Sequence, residues 1–341
     1  MRNKVLLAMS GGIDSSAAAV ILREKGYEVI GYTFRIAGVT SEAIERAAVI
    51  CKKLGMPHLY SDITDKFNEK VIKYFKSEYE HGRTPNPCIR CNREIKFGLI
   101  YNYAVENGFE YASTGHYASI TQKDGHFYLS KAIDKTRDQT YFLYVLKEEQ
   151  LKRILFPLNG TPKEKARQIC GDAGLLPADS KESREICFVP DNYKSYLTNN
   201  LGAESKKGSF INKDGSVIGE NIGILNYTIG QRKGLGIQLG KPGYIVSINP
   251  VSGDIVIGDE DDLYTDEILV SDINLINGMI PKSSDLYVKI RYSTASARVA
   301  GIEQDDGKIK IKTEEKLRAA TPGQSAVIYN GNTVVGGGVI I

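Results

Sequence analysis

The first half of the chain alternates between short apolar runs and longer segments with a helical repeat of apolar positions. The runs predict strands at Val5–Leu7, Val29–Thr33, His58–Ser61 and Tyr111–Thr114, and the repeats predict helices at Ser15–Lys25, Ser41–Leu54, Asp65–Tyr79 and Asn92–Glu106. This alternation is typical of an α/β fold with a doubly wound parallel sheet, which binds ligands at the carboxyl ends of its strands. A hairpin turning at Asp124-Gly125 is predicted near that edge, and a further helix begins at Thr161-Pro162 and ends at Gly174.

The pattern changes after about residue 204, where the helical repeat disappears and short β runs follow. Turn signals separate these runs at Asp214-Gly215, Ser252-Gly253-Asp254, Asp306-Gly307 and Asn330-Gly331. Leu286–Tyr292 alternates like a barrel strand, and Gly336–Gly338 indicates tight packing or a bulge. We therefore expect three domains: an α/β domain over 1–204, a small β domain over 205–275 and a C-terminal β-barrel over 276–341.

The residues between the first strand and the first helix form a phosphate-binding loop. Gly11 and Gly12 allow a close backbone approach, while serine hydroxyls and the first helical amides offer donors to an anion. In this context Ser10-Gly-Gly-Ile-Asp-Ser15 is similar to the pyrophosphatase loop of ATP-splitting synthetases, and it lacks the Gly-Lys-Ser/Thr ending of the common P-loop. Two alternatives stay open: the glycines only shape a turn, and Asp14 only caps the helix.

The overall charge excludes a uniformly basic protein. A formal charge of +3, from 44 basic and 41 acidic side chains, leaves room for a nucleic-acid surface only as a local patch. No apolar run approaches the roughly 20 residues of a membrane span, and no leader opens the chain, so we expect a cytoplasmic protein without a membrane partner. Five cysteines without a secretion signal indicate chemistry or core packing rather than a disulfide framework.

Three of the five cysteines are candidates for chemistry. Cys88 and Cys91 lie in a proline- and arginine-rich stretch before a predicted helix, where a helix N-terminus and nearby arginines would favour a thiolate. Cys187 follows an arginine at 184 and is the third candidate. Cys51 and Cys170 fall in register with apolar helix faces, which predicts core packing. A structural zinc half-site or ordinary thiols remain alternatives for Cys88 and Cys91.

These motifs together resemble those of the tRNA-specific 2-thiouridylase family, over nearly the whole chain. The shared motifs are, in chain order, Ser10-Gly-Gly-Ile-Asp-Ser15, Thr84-Pro-Asn-Pro87, Cys91-Asn-Arg-Glu-Ile-Lys-Phe97, Thr114-Gly-His-Tyr117, Asp138-Gln-Thr-Tyr-Phe-Leu143, Ile186-Cys-Phe188, Tyr227-Thr-Ile-Gly-Gln-Arg-Lys-Gly-Leu235, Arg291-Tyr292 and Thr321-Pro-Gly-Gln324. The resemblance implies an α/β domain like that of the adenine nucleotide alpha-hydrolases. It also implies ATP-dependent 2-thiolation of the wobble uridine of lysine, glutamate and glutamine tRNAs, with release of AMP and pyrophosphate.

The resemblance also assigns roles to individual positions. Cys91 is the nucleophile, and Cys187 carries a persulfide and can pair with Cys91 in a disulfide. The ATP-binding positions are Ala8, Met9, Ser10, Gly11, Gly12, Ile13, Asp14, Ser15, Phe34 and Gly115, with Mg²⁺ expected beside the phosphates. The tRNA-contact positions are Asn86, Pro87, Cys88, His116, Arg137, Asp138, Gln139, Arg291, Tyr292 and Gln324.

One position departs from the family pattern. Where many members have an aspartate after Thr-Pro-Asn-Pro, usually assigned acid–base work, this chain has Cys88. Cys88, Cys91 and Cys187 then resemble the three thiolates with which some sulfur-transfer enzymes hold a 4Fe-4S cluster that carries sulfide. The implied sulfur source is therefore either a donor protein, through a persulfide, or sulfide.

Two other functions fit parts of the sequence. A synthetase with the same loop could form an amide or ester on a small molecule, but it would not need the Pro-Cys segment and two β domains. A non-catalytic RNA- or nucleotide-binding protein would not need the intact loop and three placed cysteines. Pyrophosphate release that depends on transcript RNA would separate these three functions.

Overall fold

A computed structural model of the chain describes residues 3–175, 186–190 and 192–341. The elements of the first of these ranges are, in chain order, β1 Lys4–Ala8, α1 Ile13–Glu24, β2 Glu28–Arg35, α2 Ser41–Lys53, β3 His58–Asp62, α3 Thr64–Phe67, a π-helix Asn68–Ile72, α4 Lys73–Glu80, α5 Pro87–Cys91, a π-helix Asn92–Lys96, α6 Phe97–Glu106, β4 Tyr111–Ser113, β5 Ser119–Lys123, β6 His126–Ser130, a 3-10 helix Thr140–Phe142, α7 Glu148–Leu151, β7 Ile154–Leu155 and α8 Lys163–Asp172.

A five-stranded parallel sheet in the order β3-β2-β1-β4-β7 forms the centre of this region. Alternate residues of β1 face opposite sides of the sheet. Val5 and Leu7 pack with α1, α2 and α8, whereas Leu6 packs with Ile100 and Ala104 of α6. The predicted α/β fold with helices on both faces is therefore confirmed, and the loop after β1 lies at the carboxyl edge of the sheet.

The start of one predicted helix is wrong, and the error affects the site. The helix predicted over 92–106 begins five residues earlier, at Pro87, which takes the first helical position after Asn86. Proline has the φ angle that this position requires and lacks the amide that would be unpaired there. Cys88 and Cys91 therefore lie on a helix rather than in an irregular stretch before one.

The rest of the described chain is mostly β structure. Its elements are α9 Tyr193–Ser195, a π-helix Tyr196–Asn200, β8 Ser209–Ile211, β9 Val217–Glu220, a 3-10 helix Ile224–Asn226, β10 Tyr244–Ile248, β11 Ile255–Gly258, a 3-10 helix Asp261–Leu263, β12 Tyr264–Leu275, β13 Leu286–Lys289, β14 Ala297–Asp305, β15 Lys308–Arg318, β16 Ser325–Asn330 and β17 Thr333–Ile340. Strands β8 to β11 form a small sheet in the order β10-β11-β8-β9. Strands β12 to β17 form an antiparallel barrel, which closes where β12 pairs with β17.

Two details differ from the sequence-based picture. Strand β12, which the predicted division assigned to the small β domain, pairs with β15 and β17 of the barrel, so we propose that the barrel begins at Tyr264. The β5–β6 hairpin has the expected turn, with positive φ angles at Asp124 and Gly125. Its second strand extends the barrel sheet through a pairing of Ser130 with Thr333, which joins the α/β region to the barrel.

Among the residues that the structure describes, none of the helices is both long enough and apolar enough to cross a membrane.

Candidate active site

The phosphate loop has the shape that its sequence predicts. Gly11 has a φ of +72°, and a Cβ there would lie 2.6 Å from the Cβ of Arg46, so only glycine fits without displacement. The Ser10 and Ser15 hydroxyls lie 3.2 Å apart, and the Ser15 hydroxyl donates to the Gly12 carbonyl at 3.0 Å. No side chain in the described part of the chain caps α1, so its first amides are available to an anion.

Of the other predicted ATP positions, Ala8, Met9 and Ile13 adjoin the loop in sequence, whereas the cavity that Phe34 lines includes no loop residue. Ala8 ends β1. The Met9 amide donates to the Tyr32 carbonyl at 2.8 Å, which fixes the start of the loop. Ile13 is the first residue of α1, and its side chain is buried in the core. Phe34 lies near the end of β2 and lines a cavity of about 760 Å³ with Asp62 of β3.

Gly115 brings the exit of β4 against the loop. A Cβ at Gly115 would lie 2.8 Å from the carbonyl carbon of Asp14 and 2.9 Å from the Ser15 nitrogen. The residue must therefore be glycine for β4 and α1 to approach this closely. This contact places the Thr114–Tyr117 motif directly behind the phosphate loop.

Asp14 is held by two side chains that are distant in sequence. Its Oδ1 accepts hydrogen bonds from the Tyr117 hydroxyl at 2.9 Å and from Lys163 Nζ at 2.6 Å. Lys163 begins α8, and its side chain is only 7% exposed, whereas that of Asp14 is 37% exposed. The sequence analysis missed Lys163. Its signal was a lysine after the Thr-Pro helix start, on the face that carries Ala166 and Cys170.

His116 links the phosphate loop to the helical segment Pro87–Lys96, which carries Cys88 and Cys91 and is called the cysteine helix below. Its Nδ1 lies 2.7 Å from the Thr114 hydroxyl, and its ring centroid lies 5.8 Å from that of Phe97. Burial holds the pKa of His116 well below its usual value, and the nearby Lys96 lowers it further. His116 is therefore neutral at pH 7, so it can offer a ligand hydrogen bonds but no charge.

The structure brings the three candidate cysteines together. Ile186 and Phe188, on either side of Cys187, pack in the same apolar cluster as Cys91. Each thiol is close enough to affect another, because Cys88 and Cys187 both raise the pKa of Cys91. All five cysteines are free thiols.

The predicted thiolate stabilisation of Cys91 is wrong. Cys91 ends α5 rather than preceding a helix, and burial raises its pKa to about 12. The arginines near it are already paired: Arg83 with Glu78, Arg90 with Glu94 and Arg93 with Asp272. The arginine at 184 lies outside the described residues.

The cation that acts on the thiols is Lys96, which the sequence analysis also missed. It ends a π-helix, where the Phe97 amide donates to the Asn92 carbonyl five residues earlier. Lys96 is five residues after Cys91, close enough for its charge to act on the thiol. Lys96 lowers the pKa of Cys91, and it also opposes the rise that burial causes at Cys88 and Cys187.

Cys51 and Cys170 lie in the core, as predicted. Both are at most 1% exposed, and burial raises the pKa of each to about 11.

The three candidate thiols do not form a metal site as they stand. Across the described residues, which include all five cysteines, no group of three or more His, Cys, Asp or Glu side chains is placed to hold a metal ion. The thiols therefore do not fit a 4Fe-4S cluster in this arrangement.

The predicted tRNA positions border the cysteine helix. Gln324 Nε2 donates to the Thr84 carbonyl at 2.7 Å, which fastens the barrel to the segment containing Asn86 and Pro87. Tyr292 is 39% exposed and its ring lies 4.7 Å from that of Phe142. The Phe142 carbonyl accepts a hydrogen bond from Asn92, next to Cys91.

Some of these side chains already hold loops in place. Asp138 accepts hydrogen bonds from the Ala132 amide and the Thr140 hydroxyl, and Gln139 accepts one from the Tyr117 amide. Arg137, next to Asp138, is partly buried. Arg291 donates to the Thr321 hydroxyl, but its buried Nε has no partner among the described residues.

Comparisons with known proteins cover almost the whole chain. Family models match residues 3–191 as a tRNA methyl transferase HUP domain, 194–259 as a tRNA methyl transferase PRC-barrel domain and 265–340 as an aminomethyltransferase beta-barrel domain. A tRNA-specific 2-thiouridylase of Clostridium botulinum is 43% identical over 98% of both chains, and one of Acetivibrio thermocellus is 43% identical over 99% of both.

Solved structures are only distantly similar. A predicted tRNA methyltransferase subunit from Methanocaldococcus jannaschii aligns with 59% of this chain and 87% of its own, at 19% identity and a TM-score of 0.34. The assignment rests on the full-length relatives and the family models, by which the chain belongs to the tRNA-specific 2-thiouridylase family.

Proposed function

We propose that this protein uses ATP to replace the 2-oxygen of the wobble uridine of lysine, glutamate and glutamine tRNAs with sulfur. The observation that carries the proposal is the pair Gly115-His116. Gly115 contacts the phosphate loop, and His116 contacts Phe97 at the end of the cysteine helix. A nucleotide bound at the loop and a base bound beside Cys91 would therefore be separated only by Gly115 and His116.

ATP supplies the activation, because a carbonyl oxygen is a poor leaving group. We expect the uridine 2-oxygen to attack the α-phosphorus, which forms an adenylated base and releases pyrophosphate. The free amides of α1 and the Ser10 and Ser15 hydroxyls face the charge that develops on the departing pyrophosphate. Asp14 is the carboxylate of the loop that would hold Mg²⁺, which when bound neutralises phosphate charge.

The base must leave its stack to reach this site. The rim around Cys91 offers suitable contacts for a single-stranded loop. Tyr292 presents an aromatic face with Lys289 Nζ 5.5 Å from its centroid, and the partly buried Arg291 precedes it in the chain. We assign these residues, with Asn86, His116 and Arg137, to the tRNA surface.

We propose that sulfur arrives as a persulfide on Cys187, whose side chain reaches solvent. The terminal sulfur loses its proton and attacks carbon 2, and the carbon–oxygen bond breaks to release AMP. The Cys91 thiolate then attacks Cys187 Sγ, which breaks the sulfur–sulfur bond to the base and leaves 2-thiouridine. The resulting Cys91–Cys187 disulfide requires two electrons from an external dithiol before the next cycle.

A persulfide-bearing donor protein is the partner that this route implies. The other source, sulfide carried on a 4Fe-4S cluster held by Cys88, Cys91 and Cys187, would need the thiols to move into a ligating arrangement. Iron and acid-labile sulfide analysis of anaerobically purified protein separates the two sources. The cytoplasmic location remains a prediction.

The proposed function is tested with purified protein, ATP, a persulfide donor and unmodified transcripts of lysine, glutamate and glutamine tRNAs. We expect thiolated tRNA on a mercury-containing gel, with AMP and pyrophosphate formed in equal amounts. A transcript whose wobble base is cytidine is the matched control. Pyrophosphate release without tRNA, or with an amino acid in its place, would instead favour the small-molecule synthetase.

A further inference from the structure

Lys163 is a buried cation beside the phosphate loop. Its Nζ lies 2.6 Å from Asp14 Oδ1, in the first turn of α1, and the whole residue is only 6% exposed. Asp14 is more exposed than Lys163, so the pair has its carboxylate toward solvent and its ammonium toward the protein. Helix α8, which carries Lys163, packs against α1 through Cys170, whose thiol donates to the Ile13 carbonyl at 3.4 Å.

Stability alone is a weak reason for this pair. Removing an ammonium group from water costs several kcal/mol, by order of magnitude, and a buried ion pair often stabilises a protein no more than apolar residues of similar size. Around this pair, apolar residues such as Ala17 and Ala18 of α1 and Ala166 of α8 belong to one hydrophobic cluster. A lysine here therefore points to a ligand that needs its charge.

The loop itself lacks such a charge. The residues from Ala8 to Leu22 contain no lysine or arginine, whereas the common P-loop contains a lysine that reaches the phosphates. Arg46 packs its Cβ against Gly11, but its guanidinium is exposed and pairs with Glu42. Of these two cations, Lys163 differs from Arg46 in that its side chain is buried and its ammonium group contacts a loop residue, Asp14.

We propose that Lys163 is the polyphosphate-binding cation of this enzyme, contributed by a helix about 150 residues after the loop. In the nucleotide-free protein its ammonium group is held by Asp14. When ATP occupies the loop, Lys163 donates a hydrogen bond to a non-bridging oxygen of the β- or γ-phosphate. It keeps this hydrogen bond as the β- and γ-phosphates depart as pyrophosphate. The low dielectric around Lys163 makes this attraction stronger than that of an exposed lysine.

This inference rests on the proposed use of ATP. A phosphate-binding role and a purely structural role of Lys163 predict different effects on the binding of ATP, pyrophosphate and AMP. A phosphate ligand affects ATP and pyrophosphate and leaves AMP unaffected. A residue that only braces α1 against α8 affects all three ligands together with thermal stability. Binding of the three ligands without tRNA therefore separates the two roles.

The experiment is isothermal titration of ATP, pyrophosphate and AMP into the full-length protein and its variants. We expect Lys163→Met and Lys163→Gln to lower the affinity for ATP and pyrophosphate about ten- to a hundredfold. The affinity for AMP should stay within about twofold of wild type. Lys163→Arg should keep part of the affinity. Lys165→Met, on the exposed side of the same helix, is the matched control and should bind all three ligands normally.

Two results would overturn the assignment of Lys163. One is wild-type affinity of Lys163→Gln for ATP and pyrophosphate, and the other is an equal loss of all three ligands. Lys163→Gln can still hydrogen-bond to Asp14, so it keeps the test valid if Lys163→Met unfolds. Failure of the wild-type protein to bind ATP would contradict the proposed function instead.

Discussion

The phosphate loop and the cysteine helix are both short motifs, yet they differ in how their chemistry is determined. The loop is determined locally: Gly11 has its positive φ, and its serines hold one another across a few residues. At the cysteine helix, burial raises the pKa of Cys91 and Lys96 lowers it, and the burial does not follow from the neighbours of Cys91 in sequence. A backbone conformation belongs to a few residues, whereas a pKa belongs to everything packed around the group.

The largest effect that this comparison predicts is at the two reacting thiols. We expect Cys91→Ala and Cys187→Ala each to lower thiolation by about a thousandfold or more, because the group transferring sulfur is lost. ATP binding, measured by titration, should stay within about twofold, since neither thiol contacts the loop.

Cys51→Ala is the matched control, because Cys51 is a buried thiol on the core face of α2. It should keep thiolation activity while losing some stability. Wild-type thiolation by Cys187→Ala, with both sulfide and a persulfide donor, would refute the role of Cys187.

The second prediction tests whether the backbone conformation at Gly11 determines ATP binding by the phosphate loop. Gly11→Ala should lower the affinity for ATP about tenfold or more, because its Cβ would displace Arg46 and distort the loop amides. Gly26→Ala carries the same backbone strain, with φ +85°, but its Cβ would meet no atom within 4 Å.

Both variants should lose roughly 1–2 kcal/mol in thermal or urea unfolding, the usual strain of a left-handed residue with a side chain. Only Gly11→Ala should lose ATP affinity. Equal ATP binding by the two variants would mean that the loop merely turns the chain.

The third prediction concerns Cys88 and the source of sulfur. Because the thiols do not form a ligating group in this arrangement, we expect colourless protein after anaerobic purification and thiolation from a persulfide donor. Cys88→Asp, which restores the commoner family residue, should then stay active within about tenfold. About four irons per chain in the wild-type protein, lost in Cys88→Asp, would establish the cluster instead.

The smallest predicted effect sharpens the comparison at Cys91 itself. With a pKa of about 12, the thiolate fraction of Cys91 rises tenfold per pH unit below that value, so its alkylation by iodoacetamide should rise likewise between pH 7 and 10. Lys96→Met removes a charge that lowers this pKa. It should therefore shift the profile to higher pH and slow alkylation at pH 8 by about three- to tenfold.

Lys96→Arg should restore most of the rate, because it keeps the charge. Lys76→Met, in α4 and paired with Glu80, is the control that should leave the profile unchanged. Peptide mass spectrometry would follow Cys91 separately from the other thiols. An unchanged profile in Lys96→Met would show that burial alone sets this pKa.

Much of the fold was predictable because its signals are periodic and local. The four predicted strands of the first region and the hairpin turn at Asp124-Gly125 all appear. The sequence analysis missed the start of α5 because it expected the proline-rich stretch to precede the helix, whereas proline equally suits a first helical turn. The predicted ATP position Gly115 contacts the phosphate loop, and the next residue, the predicted tRNA position His116, lies against Phe97.

By itself the sequence determined the parallel sheet, the glycine loop and the separation of buried Cys51 and Cys170 from the candidate thiols. Each depends on hydrophobic period or on a backbone conformation that neighbouring residues fix. Tertiary structure alone decided that Lys163 meets Asp14, that Cys187 lies close enough to Cys91 to raise its pKa and that Gln324 fastens the barrel beside Asn86. These contacts join residues up to 240 positions apart. Packing sets them, because charge and burial act through space rather than along the chain.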